Sequence, residues 1–378
     1  MSRLLKITAI LLISSAICGY GQGKSDKPYK VGVMQRAYKP PEPYNWRGAD
    51  THALVTTIWY PADPASIEQP QWIGPPENAF VSLGNSAPDA KLAPSPARFP
   101  LIVISHGTGG SAAMMAWLGT ALAAHGFIAA AVNHPGNNAT EPYKPQGFIL
   151  WWERAHDLSV LIDSVLADPT LGARVDQSRI GGAGFSLGGY TMIEIAGGIT
   201  QVSLYKDFCS SPQADGSCVP PPEFPDLARW ADEVPKSDAQ AAESMRHESD
   251  SYRDPRVRAV FAIAPALGPA FQPQSLRKIS IPVEIVAGTA DKNVPIGSSA
   301  QFFAREIPHA RLTLLPQVGH YTFLATCGPS GKNSRPDLCG DGAGIDRDSI
   351  HAKVAQMAVD FFKAKLKITS GQATRFDF

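Results

Sequence analysis

The chain has 378 residues, 44% of them hydrophobic, with 34 Lys+Arg against 34 Asp+Glu, five cysteines and 33 each of glycine and proline. The apolar share excludes a charge-rich disordered chain and a small disulfide scaffold. Zero net charge without a Lys/Arg-rich run excludes nucleic acid as a partner, because phosphate binding needs a basic surplus.

Residues 1–21 have the layout of a secretory signal peptide. Arg3 and Lys6 precede the apolar run 7–17, and small residues follow at Cys18, Gly19 and Gly21. The run is too short to cross a bilayer, which disfavours an uncleaved anchor. Ile17 is bulky where lipidation at Cys18 needs a small neighbour. Cleavage after Cys18 or after Gly21 fits. Loss of the leader takes two basic residues and no acid, leaving a net charge of −2. The expected location is secreted or periplasmic, with no stable membrane span after signal removal.

Residues 29–34 and 53–60 read as antiparallel strands joined by a proline-rich loop at 39–43. From residue 100 the texture changes to short apolar runs at 101–105, 128–132, 180–185, 257–263, 283–287 and 312–315. Their unbroken apolar character suits strands covered on both faces, as in a parallel sheet. Helical stripes lie between and after them. Leu158, Leu161, Ile162, Val165 and Leu166 form one; Ile350, Val354, Met357, Ala358, Phe361 and Phe362 form the last, with Asp348 or Ser349 as its cap. This alternation predicts a mostly parallel central sheet with helices on both faces. Residues 201–254 break the rhythm for too long to be a plain connection, and read as a lid-like insertion over the C-terminal edge of the sheet. The expected organisation is a leader at 1–21, one α/β domain at 25–366 with its insertion at 201–254, and a tail at 367–378.

The chemistry centres on Gly184-Phe185-Ser186-Leu187-Gly188, a G-x-S-x-G run between an apolar strand and a helical pattern. A nucleophilic serine needs such a sharp strand–turn–helix, and flanking glycines leave room for it. A serine hydroxyl also needs a base and an orienting acid. Chain order Ser, acid, His points to Asp291, on the loop after the 283–287 strand, and to His320, on the loop after the last strand. Glu284, Asp254, His309 and His125 compete, but they fall inside a strand, on the opposite sheet edge or at a helix end. The oxyanion donors are expected to be the backbone N–H groups of Leu187 and of Thr108, in the loop His106-Gly107-Thr108-Gly109-Gly110.

These motifs resemble, together, an α/β-hydrolase of the platelet-activating-factor acetylhydrolase / predicted dienelactone hydrolase-like group. Trp59-Tyr60-Pro61-Ala62, Asn133-His134-Pro135-Gly136, Ala287-Gly288-Thr289-Ala290-Asp291 and Gly319-His320-Tyr321-Thr322-Phe323 complete the set. The resemblance implies a serine esterase acting on short acyl esters, lactones or oxidised phospholipids. It departs in two places. Dienelactone hydrolases use a cysteine nucleophile where this chain has Ser186. The animal acetylhydrolases take their acid from the preceding strand end, which here reads Ala264-Pro265-Ala266-Leu267 without a carboxylate.

His134, Phe148, Trp151 and Trp152 are expected to contact substrate, with structural packing as the competing role of each. Four cysteines outside the leader suggest disulfides in an oxidising compartment, of which Cys209–Cys218 and Cys327–Cys339 are the simplest pairs. Residues 340–346 have the colouring of a calcium loop without its ligand spacing, and Asn138 opens a glycosylation sequon. The function expected is a secreted serine carboxylic ester hydrolase that works through an acyl-enzyme. Its substrates would be short-chain acyl or phospholipid-like esters, and it would need no metal or organic cofactor. A peptidase or amidase of the same fold, and an inactive binding protein, are the alternatives.

Overall fold

Alternate residues of the apolar runs face opposite sides of one ten-stranded sheet. The computed structural model describes residues 28–367; the expected leader, and all but the first residue of the expected tail, lie outside the described residues. The strands are β1 Lys30–Tyr38, β2 Leu54–Ala62, β3 Gln69–Ile73, β4 Val81–Pro88, β5 Phe99–Ser105, β6 Ile128–Val132, β7 Val175–Phe185, β8 Val257–Ile263, β9 Val283–Gly288 and β10 Ala310–Leu315. Their order is β10-β9-β8-β7-β5-β6-β2-β1-β4-β3. From β10 to β6 every pairing is parallel, whereas β1 and β2 form the antiparallel ribbon read from the sequence. The fold is that of an α/β-hydrolase.

Two strands escaped the sequence reading. β3 and β4 carry Pro70, Gly84, Asn85 and Pro88 and lack an apolar alternation. β3 is the edge strand, where one side of the ladder is unpaired and proline is tolerated; β4 lies next to it, pairing with β3 and, only at Ala87 and Pro88, with β1.

Helices cover both faces. Leu101 and Val103 of β5 point into one apolar cluster with Leu158, Leu161, Ile162 and Val165 of the helix Glu153–Ala167. Ile102 and Ile104 point into the other, with Leu118 and Leu122 of the helix Ala116–Ala124 and Val354, Ala358 and Phe362 of the helix Arg347–Lys365. Asp346, rather than Asp348 or Ser349, caps this last helix by accepting from the Ser349 N–H. None of the described helices is long and apolar enough to cross a membrane.

The strand order decides where a site can form. From β5 the chain moves outward to β6, then returns past β5 to β7, so β5 and β7 flank a switch point. Crevices open at the C-terminal ends of strands at such a point. Both loops with expected chemistry leave the sheet there.

Candidate active site

Ser186 sits at the apex between β7 and the helix Leu187–Ile195, with φ 56° and ψ −117°. For a residue with a side chain this is a strained backbone, and neighbouring bonds hold it. Its N–H donates to the Ile263 carbonyl at 2.9 Å, and its carbonyl accepts from the Tyr190 and Ala266 N–H groups at 3.0 and 3.1 Å. The flanking glycines are required by close approach. A Cβ on Gly188 would stand 2.0 Å from the Ser105 carbonyl oxygen, and one on Gly184 2.2 Å from that of Gly188.

The structure brings the three expected side chains together. His320 Nε2 lies 3.0 Å from Ser186 Oγ, and its Nδ1 lies 2.6 Å from Asp291 Oδ2. The other oxygen, Asp291 Oδ1, accepts the N–H groups of Asn293 and Val294 at 3.0 and 2.8 Å. The carboxylate is therefore fixed by main chain, and its free oxygen faces the imidazole. That arrangement selects the tautomer with the proton on Nδ1 and leaves Nε2 to accept from the serine. Phe185 packs against the His320 ring at 4.9 Å.

Above Ser186 opens a cavity of about 1150 Å³ that also touches His320, Thr108 and Leu187. The orientation of the Thr108 N–H follows from the peptide before it. The Gly107 carbonyl accepts from His106 Nδ1 at 2.7 Å and from the Gly110 N–H at 3.2 Å. His106 Nε2 accepts the His134 N–H at 3.2 Å, so the ring proton is on Nδ1. In a trans peptide the carbonyl and the next N–H point in opposite directions, which turns the Thr108 N–H away from His106. Neither the Thr108 nor the Leu187 N–H meets a carbonyl among the described residues. Both are available to a developing oxyanion.

The loop that carries Thr108 is tied down by residues the sequence reading left without a role. Asn137 Oδ1 accepts the Gly109 N–H at 2.7 Å, Tyr143 donates to the Gly109 carbonyl at 2.8 Å, and Asn133 Oδ1 accepts the Ala112 N–H at 2.7 Å. The available signal was a polar run directly after the wholly apolar β6.

Of the expected substrate contacts, Phe148 and Trp151 line the cavity, whereas Trp152 stands behind its wall, fully buried, with Nε1 donating to Ser244 Oγ at 2.9 Å. Phe148 stacks on Phe224 of the insertion at 4.8 Å and meets Tyr143 edge-on at 5.2 Å. His134 is a correction. It is fully buried beneath the loop that carries Thr108, with Nδ1 2.6 Å from Asp157 Oδ2 and Nε2 2.8 Å from Ser105 Oγ. Its place after a strand at the right sheet edge was read correctly, but the side chain turns back into the protein. Burial first, then the Arg154 charge, pushes this imidazole down to about 3, so it stays neutral. Burial opposes ionisation of Asp157, yet Arg47 and His134 hold its carboxyl well below the usual carboxylate range.

The insertion forms the helices Val202–Cys209, Leu227–Ser237 and Ala239–Arg246 and supplies much of the cavity wall. Glu223 reaches the cavity from it, and burial pushes that carboxyl up. Disulfides join Cys209 to Cys218 and Cys327 to Cys339. Asn138 is buried, and its amide donates to the His134 carbonyl and to Glu141, so it is not presented for glycosylation. In the 340–346 turn, Asp341 is occupied by Arg347 and Thr322 at 3.0 and 2.7 Å. Among the described residues no three His, Cys, Asp or Glu side chains cluster as metal ligands.

Strand order and the strand–turn–helix at Ser186 define the class of fold, that of the α/β-hydrolases. The model for "Platelet-activating factor acetylhydrolase, isoform II" matches residues 79–147, which span β4 to β6 and the loop that carries Thr108 and stop short of Ser186. Among solved structures the chain resembles a ferulic acid esterase from Streptomyces cinnamoneus at 20% identity. That likeness has a TM-score of 0.58 and covers 89% of this chain and 90% of that one. No curated protein sequence matches.

Proposed function

We propose that the chain is an exported serine carboxylic ester hydrolase acting through an acyl-enzyme. The observation that carries this reading is the unbroken contact Asp291–His320–Ser186 at the floor of a cavity that also receives two unengaged backbone N–H groups. In the proposed cycle Ser186 Oγ attacks the ester carbonyl carbon and its proton passes to His320 Nε2. The carbonyl oxygen takes the negative charge against the Thr108 and Leu187 N–H groups. Collapse breaks the ester bond, and His320 returns the proton to the leaving alcohol oxygen. Water then attacks the acyl-enzyme with His320 again as base, releasing the acid and Ser186. Asp291 keeps the imidazole oriented and stabilises its charged form.

A mostly apolar cavity larger than the usual range of about 300–1,000 Å³ for small-molecule sites supports acyl esters and phospholipid-like esters as substrates. Phe148 and Trp151 would form the acyl wall, with Trp152 packed behind them. The two disulfides support export, because such bonds persist in oxidising compartments. In this reading residues 1–21 are the leader, 25–366 the hydrolase domain with 201–254 as its lid, and 367–378 a tail.

The test is covalent labelling with a fluorophosphonate probe, followed by turnover of p-nitrophenyl esters of rising chain length, a hydroxycinnamate ester and peptide anilides. Labelling that is abolished in Ser186→Ala, with esters turned over faster than anilides, is the expected result. Unlabelled wild-type protein would overturn the enzyme reading in favour of a binding protein. Faster anilide turnover would make it an amidase.

A further inference from the structure

We infer that Arg154 is a positioning residue that holds the two oxyanion donors at their working separation. This rests on the hydrolase reading above. The donors belong to different parts of the chain: Thr108 follows β5, and Leu187 opens the helix after β7. Arg154, in the first turn of the helix Glu153–Ala167, reaches both from below. Its Nη2 donates to the His106 carbonyl and, at 3.2 Å, to Ser105 Oγ. Its Nε donates to Thr191 Oγ1 at 3.4 Å, and Thr191 Oγ1 donates to the Leu187 carbonyl at 2.9 Å. One planar guanidinium therefore bonds the start of the oxyanion loop directly and the residue that carries the second donor through Thr191.

The setting of this side chain favours geometry over stability as its contribution. Arg154 is 1% exposed, forms no hydrogen bond with a carboxylate, and leaves Nη1 without a partner among the described residues. Burial pulls it down to about 9, with Arg47 adding to the fall and Asp157 opposing it. A buried cation so placed is costly compared with an apolar side chain of similar volume. Arginine's rigid fork of donors suits the task, because it fixes several acceptors in one plane.

The experiment compares Arg154→Met, Thr191→Val and, as control, Asp168→Asn. Asp168 is a buried carboxylate just past the far end of the same helix, bonded to Arg36 and Tyr38 at 3.0 Å each. Each variant is assayed for kcat and KM on the p-nitrophenyl ester best used by the wild type, for fluorophosphonate labelling rate, and for melting temperature. Loss of an oxyanion contact lowers rate rather than binding. Arg154→Met is expected to lose about 10²-fold in kcat with KM unchanged, and its labelling rate should fall in parallel. Thr191→Val, which cuts the link to Leu187 alone, should lose less in the same pattern. Asp168→Asn should melt lower and keep its kcat. Folded Arg154→Met with wild-type kcat overturns the inference. If that variant does not fold, Thr191→Val decides, and an unchanged kcat there overturns it. Wild-type protein inert to every ester and to the probe overturns both this inference and the hydrolase reading, whereas active wild type with equally active variants overturns this one alone.

Discussion

Glu194 is a fully buried acid that the proposed chemistry does not use. Its Oε1 accepts from Tyr190 and Thr200 at 2.8 and 2.9 Å, and its Oε2 has no partner among the described residues. Burial raises this carboxyl from its ordinary 4.5 to about 8. The folded state thus holds the proton more tightly than the unfolded chain does. Its contribution to stability is complete below pH 4.5 and is lost as pH rises through about 8. Glu194→Gln, which keeps the acceptor and cannot ionise, should flatten the fall in melting temperature across that window. An unaltered slope in thermal melts would show that other groups set it. At this scale, Ser186, Asp291 and His320 were legible as candidates because a nucleophile turn and a fixed chain order constrain where such residues fall. Arg154 and Asp157 were not, because each acquires its partners only when a helix crosses beneath two loops. His134 shows the limit in between: a strand-end position is readable, the direction of the side chain is not.

Between β7 and the helix that follows, the backbone itself is the critical component. The Gly188 Cα lies so near the end of β5 that an added methyl group would collide with main chain, which cannot move aside as a side chain can. Gly188→Ala should therefore cost more than about 4 kcal/mol or prevent folding, read as melting temperature and soluble yield. Gly319→Ala, beside His320 but with nothing within 4 Å of the new Cβ, should leave both unchanged. Equal behaviour of the two would show that the turn relaxes. The parallel strands were readable because burial on both faces writes an unbroken apolar run. β3 and β4 were not, because β3 answers to one neighbour, β4 meets its second over two residues only, and both carry proline.

Across the whole molecule, core and cavity are built by different means. The core is a sheet between two apolar clusters, whereas much of the cavity wall comes from excursions outside the strand–helix alternation, at 202–231 and 335–338. The first contains the loop closed by Cys209–Cys218 and the second lies within the loop closed by Cys327–Cys339, with sequence separations of 9 and 12. Closing a 15-residue loop is worth about 3 kcal/mol in the chain-entropy account, a large amount for segments that share little of the core. The double variant Cys209→Ser/Cys218→Ser should keep its cooperative melt yet become open to limited proteolysis within 201–254. A digestion pattern matching the wild type would show that packing alone secures the insertion. The buried Asp157–His134–Ser105 contacts repeat the order of atoms found at Asp291–His320–Ser186. A three-residue search template for serine hydrolases would match this molecule twice, once at Ser186 and once at Ser105, which is 0% exposed. An alanine scan scored by lost turnover would flag both serines, since Ser105 also accepts from Arg154. Only a reagent that must enter the cavity tells the hydroxyl of Ser186 from its enclosed counterpart.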